Sequence, residues 1–475
     1  MSYLAKVIDS RIFALVEKVT DNQPTYFQGE AVLMRRRDFI ESVTGTIGAV
    51  ALFGCDVLPS IQAATERTAA LSPQEAAQDE TLWREVQNAF SVNRNIINLD
   101  NGNVSPSPKN VTEAMIRHTW QQQDAPGYML WEVLEPQLSG TRTALARSFG
   151  CDAEEIALVR NATEALQIIL LGVPLRSGDE ILMTTHDYWS MHDAVDERAR
   201  RDKIAVKKIS NVPMPPKSTS ELVEMYERNI TPRTRLILVT HPVNYTGQLF
   251  PVKEICEMAH RKDIEVVVDG AQSFALVDYK LSDLGCDYFG TSLHKWLSAP
   301  MGTGLLYIRK DKIGKVNQLL PAAYFDEAQQ ETYQNKIYKF EDVGTRSVAM
   351  ALAISEALAF HNGIGAKRKE ERFRYLTNYW VKRIEKLPNV RFYASFKPEM
   401  SCGLATFEMA GVDSKALTKH LWERHRILVQ AVAPGRAKEI KGVRVTPHVY
   451  TTLNELDYFS DVVEQVAKRG LPKSA

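Results

Sequence analysis

A chain of 475 residues, 44% hydrophobic and 24% charged, is too long for one ordinary core and suits two domains, or a large domain with a smaller partner. Its 58 basic and 58 acidic side chains cancel, so no excess charge calls for nucleic acid or an anionic membrane, and small neutral or zwitterionic ligands are the easier expectation. Cys55, Cys151, Cys256, Cys286 and Cys402 stand far apart, with no CxxC pair and no His/Cys cluster, which points away from structural zinc, any other metal site and a disulfide framework.

The first element in chain order is an address. Residues 34–64 combine a basic start, the pair Arg36-Arg37 followed by Asp38, Phe39 and Ile40, and a mild apolar stretch from about Val43 to Leu58. That is the layout of a twin-arginine signal, which exports folded proteins. The expectation is a bacterial protein carried by the Tat export machinery to the periplasm, with cleavage around Ala63 or Ala64. Met34 is then the natural start, and residues 1–33 an extension that is not translated. The run Leu52-Phe53-Gly54-Cys55 loosely matches a lipoprotein box, which would tether the protein through Cys55.

From about residue 71, short β-branched runs alternate with helical periodicity. Strands are predicted at 154–160, 179–185, 203–209, 234–241, 264–270, 288–294 and 303–309, with helices such as "TEALQIILLGV" and "PVKEICEMAHRKD" between them. This pattern predicts an α/β domain round a mostly parallel sheet, with functional loops at the carboxyl ends of its strands. Residues 71–120 read as an N-terminal arm contributing to a small domain, 121–345 as the large domain, and 346–475 as a smaller α+β domain. The stretch 212–219, "VPMPPKST", reads as a surface loop.

The chemistry is expected in those loops. In "RNATEAL", Asn161, Ala162 and Thr163 open a helix whose free amides, with the Thr163 hydroxyl, make an anion site. Tyr188 follows the next strand and can lie against a flat ring; Asn244 and Gly247 follow the third. Asp269 ends a wholly apolar strand, where a carboxylate must be solvated, metal-bound or paired with a cation, and no metal-ligand partners stand near it. A protonated ring nitrogen would serve. Twenty-six residues on, "TSLHKWLSAP" holds Lys295 in a segment short of other charges, the setting of a desolvated Schiff-base lysine, with Ser292 and His294 available to phosphate oxygens. An anion site, an aromatic, an Asp and a Lys together are what pyridoxal 5'-phosphate (PLP) requires.

The ordered series "NATEAL", "VNYTG", "VVVDGAQS", "TSLHKWL", "GTRS" and "GVRVTPHVY" resembles the class V aminotransferases among fold-type I PLP enzymes, over about residues 95–455. "LDNGNVSPSP" and "LHKWLSAPMGTGLLYIR" are most similar to the branch around isopenicillin N epimerase. The resemblance implies that Lys295 carries the cofactor and shuttles the Cα proton, that Asp269 pairs with the ring nitrogen and Tyr188 stacks on the ring, and that Asn244 and Gln272 lie near its 3′ oxygen. It implies that Ala162, Thr163, Ser292 and His294 hold the phosphate. It further implies that Gly344 and Thr345 reach the phosphate of a neighbouring subunit in a homodimer, and that Arg444 clamps a substrate carboxylate.

The chain also departs from its relatives. Cysteine desulfurases carry a nucleophilic cysteine on a loop before the carboxylate-binding arginine, whereas residues 425–444 here contain none and Cys402 falls earlier. A persulfide-forming desulfurase is therefore not expected, while a β-lyase without a protein thiol stays open beside transamination and epimerisation. Epimerisation needs an acid on the opposite face, for which Tyr128, Tyr245 and His448 are candidates. Export would favour a substrate matured outside the inner membrane, such as a peptide or siderophore precursor. A cofactor-binding homologue without turnover is the remaining alternative, and the presence of both Lys295 and Asp269 argues against it.

Overall fold

The computed structural model describes residues 57–321 and 330–472. Among these, the strands are β1 (Ile97–Asn98), β2 (Ile156–Val159), β3 (Glu180–Thr184), β4 (Ala205–Ile209), β5 (Thr234–Thr240), β6 (Glu265–Asp269), β7 (Tyr288–Ser292), β8 (Gly304–Ile308), β9 (Val390–Phe392), β10 (Ala405–Met409), β11 (Ile427–Leu428), β12 (Gln430–Val432) and β13 (Gly442–Val445). Each of the seven runs predicted from β-branched patterning forms a strand, and together they make one sheet in the order β2-β8-β7-β6-β5-β3-β4.

The pairs from β7 through β4 are parallel, while β8 runs antiparallel between β7 and β2. Parallel neighbours need crossover connections, and the helices Ala162–Gly172, Trp189–Asp202, Thr219–Asn229 and Val252–His260 supply them. Helices of this kind cover the sheet faces, so its strands read as unbroken apolar runs such as Val266 to Val268. The carboxyl ends of β2, β3, β5, β6 and β7 therefore open on one edge, which is where a ligand site belongs. β8 begins on the same edge at Gly304, and a Cβ there would lie 2.6–2.8 Å from the backbone of Asn161. Only glycine lets the strand come so close to the helix start.

A second, antiparallel sheet has the order β12-β13-β10-β9 and its own core of Trp380, Phe407, Val443 and Phe459. β1 pairs with β11, which stitches the N-terminal arm to this part of the molecule. The sequence boundary at 346 shifts here. Helices Ala349–Leu352 and Ile354–Ile364 pack on Lys109–Asp124 and Leu138–Phe149 and join the large core, so the second core starts with Ala366–Ile384. The arm divides likewise, with Trp83 and Val111 in the large core and Leu99 in the second.

Residues 57–64, expected to end an export signal, form most of the helix Val57–Arg67. Its Val57, Ile61 and Ala64 are buried against helices Ile354–Ile364 and Glu80–Asn88. A cut around Ala63 or Ala64 would fall inside this packed helix. The rest of that segment, including the arginine pair and Cys55, lies outside the described residues. Among the described residues no helix is long and apolar enough to cross a membrane.

Candidate active site

The sheet edge encloses a cavity of about 200 Å³. Ala162, Thr163, Tyr188, Asn244, Asp269, Gln272, Ser292, His294 and Lys295 all line it, so nine residues singled out from separate loops meet in one place. Parallel strand ends deliver them: β6 ends at Asp269, β7 at Ser292, and Lys295 follows three residues on.

Lys295 sits on a tight turn in which the Ser298 amide donates to its carbonyl at 3.1 Å. Leu293, Trp296 and Leu297 are fully buried and anchor that turn in the core. Burial pushes the lysine pKa down to about 8; the Asp269 charge opposes this and the Arg444 charge adds to it. Asp269 is itself raised by burial, offset by one hydrogen bond from the Ala271 amide (3.0 Å) and by Lys295. A carboxylate so buried, with one amide to satisfy it, requires a cation.

Behind the turn lies a polar scaffold. Trp296 Nε1 donates to Gln272 Oε1 at 3.0 Å, and Gln272 Nε2 donates to Asn244 Oδ1 (2.8 Å) and to the Gly102 carbonyl (2.9 Å). Asn244 Oδ1 also accepts from Arg444 Nη1 at 2.5 Å. Both acceptor positions of that amide oxygen are taken, which leaves Asn244 Nδ2 as the donor toward the cavity. Gln272 thus acts largely by orienting Asn244 and Trp296. The Trp296 carbonyl in turn accepts from Lys369 Nζ at 2.5 Å, a wholly buried lysine whose pKa burial pushes down to about 7.

On the opposite wall, Asn161 caps the helix Ala162–Gly172, its Oδ1 accepting from the Glu164 amide at 2.9 Å. The Ala162 amide donates to Ser292 Oγ at 2.9 Å, leaving the hydroxyl proton for a ligand. His294 Nδ1 donates to the Thr303 carbonyl at 3.3 Å, and burial followed by the Lys295 charge lowers its pKa. A bound dianion would reverse that balance and favour the charged ring. A helix start, a hydroxyl and an imidazole form an anion cradle. With Asp269 across the cavity, the donor set fits PLP: Ala162, Thr163, Ser292 and His294 would hold its phosphate and Asp269 would face its ring nitrogen.

The Aminotransferase class-V family model matches residues 97–459. The chain belongs to the class V aminotransferase family. Its cofactor is pyridoxal 5'-phosphate, and its fold is that of the fold-type I PLP enzymes. It is 29% identical over 401 residues to isopenicillin N epimerase of Amycolatopsis lactamdurans, covering 82% of this chain and 99% of that protein. It is similar in structure to C-DES bearing glycine covalently linked to its PLP cofactor (TM-score 0.71, 23% identity, 79% of this chain and 98% of that one). It is likewise similar to the cystine C-S lyase C-DES with its product cysteine persulfide (TM-score 0.69, 23% identity, 80% and 99%).

Other expected residues lie elsewhere. Gly344 and Thr345 are exposed in a separate depression beside Trp131 and Tyr338 and do not line the Lys295 cavity. Arg444 is buried beyond Asn244 and does not line the cavity. His448 is sealed in an aromatic cluster, stacked on Trp296 at 5.9 Å with its Nε2 beside Ser298 Oγ (3.3 Å), and so is removed from the candidates for an opposing acid. Tyr128 is exposed and outside the cavity. Tyr245 neighbours both Tyr188 and Arg444, with burial raising its pKa.

Two contributions had no assigned role from sequence. The arm supplies Asn103 to the cavity and Asp100 to Arg444 (3.1 Å); the Asn-Gly pair in "LDNGN" was the available signal for a close backbone approach. Residues 433–441, between β12 and β13, hold Arg436 against Asp193 (2.8 Å) and Asp196 (3.0 Å), and Glu439 against buried His186 (2.9 Å), two residues before Tyr188.

Proposed function

We propose that this protein acts at the Cα of an amino acid, or of a compound containing one, with an epimerase-like or aminotransferase-like outcome. The observation that carries the proposal is a desolvated Lys295 sharing a small cavity with buried Asp269, an anion cradle at the far wall and Arg444 behind Asn244. When bound, PLP supplies the electron sink that makes a Cα proton acidic. Asp269 holds the ring nitrogen charged, Tyr188 and Asn244 fix the ring, Lys295 Nζ moves the proton, and Arg444 takes the α-carboxylate. Tyr245, beside Tyr188 and Arg444 though not lining the cavity, is the candidate kept for an acid on the opposite face.

A thiol-free β-lyase is the second reading. It is favoured over a desulfurase because burial raises the thiols of Cys151 and Cys402 to about 12, and those of Cys256 and Cys286 higher, which leaves no thiolate among the described cysteines. Gly344 and Thr345, exposed outside the Lys295 cavity, suit a homodimer in which each chain reaches the phosphate of the other. Periplasmic export by the twin-arginine pathway belongs to the same proposal and rests on the basic start, the arginine pair and the apolar stretch that follows them.

Purified protein supplied with PLP is expected to show a visible absorption band that Lys295→Ala lacks. A wild-type protein that stays colourless with added PLP refutes the proposal. Inversion at Cα or keto-acid release with amino-acid substrates then supports the first reading, and pyruvate or sulfide release the second.

A further inference from the structure

Arg444 already holds a carboxylate. Its Nη2 lies 3.1 Å from Asp100 Oδ1, while Nη1 donates to the Asn244 carbonyl (3.3 Å) and to Asn244 Oδ1 (2.5 Å). Nε is buried and without a partner. A carboxylate binding arginine in a forked pair needs two guanidinium nitrogens. With both N–H groups of Nη1 given to Asn244, the fork requires Nη2, one of whose two N–H groups Asp100 already holds.

The two partners are not equally fixed. The Arg444 side chain is 3% exposed and set in β13, whereas that of Asp100 is 13% exposed and reaches water. The backbone of Asp100 is pinned: its amide donates to Asn98 Oδ1 (3.0 Å) and it bridges Thr446 in the strand-like register of the arm. The Asn101 amide (3.3 Å) and the Gly102 amide (2.9 Å) also bind Thr446. The backbone of Asp100 is held, and its side chain is the more exposed member of the pair.

We infer that Asp100 is an internal stand-in for the substrate carboxylate, seated on Arg444 until a substrate carboxylate displaces it. This rests on the reading of Arg444 as the carboxylate clamp. A buried guanidinium left bare would be costly and would attract any small anion; Asp100 removes both problems and makes a ligand compete for the site. Ligands that add only a carboxylate gain little, while those that also engage the cofactor prevail. Asp100 is a specificity-setting residue by this account.

The test uses PLP-loaded full-length protein titrated with L-alanine and with L-alaninamide, followed by the visible band. In Asp100→Asn, which keeps the shape and an acceptor oxygen but removes the charge, L-alanine should bind at least about tenfold more tightly, the worth of one charge-assisted hydrogen bond, with alaninamide unchanged. Asp100→Glu keeps the charge and should not show the gain. Asp100→Ser reads the same ratio should Asp100→Asn fail to fold. An alanine-to-alaninamide ratio that stays the same or falls in the neutral variants overturns the inference. A gain for alanine that persists when Arg444→Gln is added to Asp100→Asn overturns instead the assignment of Arg444.

Discussion

Lys369 gives the sharpest numerical prediction. It is completely buried, its Nζ donates to the Trp296 carbonyl and lies 3.5 Å from His361 Nδ1, and among the described residues no carboxylate pairs with it. Burial lowers its pKa from 10.5 to about 7. Between those two values the unfolded chain binds a proton that the folded protein does not, so stability rises with pH through the window, and the full penalty stands below about 7. At about 1.4 kcal/mol per unit, that penalty is about 5 kcal/mol at pH 7 and about 2 kcal/mol at pH 9. Lys369→Met preserves shape, removes the penalty and strands the Trp296 carbonyl, at a cost of about 1–3 kcal/mol. The variant should therefore be more stable than wild type by about 2–4 kcal/mol at pH 7, and close to it at pH 9. His361 and His448, the titratable neighbours, are both held well below their usual range and do not titrate in this window. Urea unfolding of the PLP-loaded proteins at pH 7, 8 and 9, followed by tryptophan fluorescence, measures the gap. A difference independent of pH, or one that grows as pH rises, refutes the reasoning.

Capture of PLP by the apoprotein should quicken about tenfold per pH unit up to about 8 and then level off, because the free Lys295 amine is the reactive form above its pKa; stopped-flow absorbance reads this directly. Asp269→Asn should slow turnover by roughly two to three orders of magnitude, the cost of leaving a buried cation unpaired. The same variant should move the capture profile to lower pH, since Asp269 holds the Lys295 pKa up. Gly304→Ala should cost about 1–3 kcal/mol in chemical unfolding and speed PLP release, because its methyl group meets the Asn161 backbone that begins the phosphate cradle; unchanged PLP release would separate that glycine from the site.

Much of the site was readable because its members announce themselves locally. A lysine in a charge-poor segment, a carboxylate ending an apolar strand and an Asn-Ala-Thr helix start each violate or fulfil a short-range rule, and parallel topology brings such loops to one edge. What resisted reading depends on long-range pairing. Asp100 and Arg444 are separated by 344 positions, and no local pattern tells which carboxylate will meet which arginine. The antiparallel insertion of β8 between β7 and β2 is equally silent, since periodicity fixes a strand's faces and not its direction. Residues 57–64, read as the end of an export signal, form a helix with Val57, Ile61 and Ala64 buried, a packing that the local sequence does not announce. Helices Ala349–Leu352 and Ile354–Ile364 join the large core, which helix periodicity alone does not reveal.

The strap of residues 433–441 has a consequence for how the site responds to its solvent. Its two fastenings differ in kind. The Arg436 pairs with Asp193 and Asp196 stand 41–60% exposed, within reach of mobile ions, whereas His186 is buried under Glu439. At physiological ionic strength, screening acts over about 8 Å and weakens exposed pairs first. Added salt should then loosen one end of the strap while the other stays closed beside Tyr188. The ionic clasp of this strap thus ties the surroundings of Tyr188 to the medium as well as to the protein.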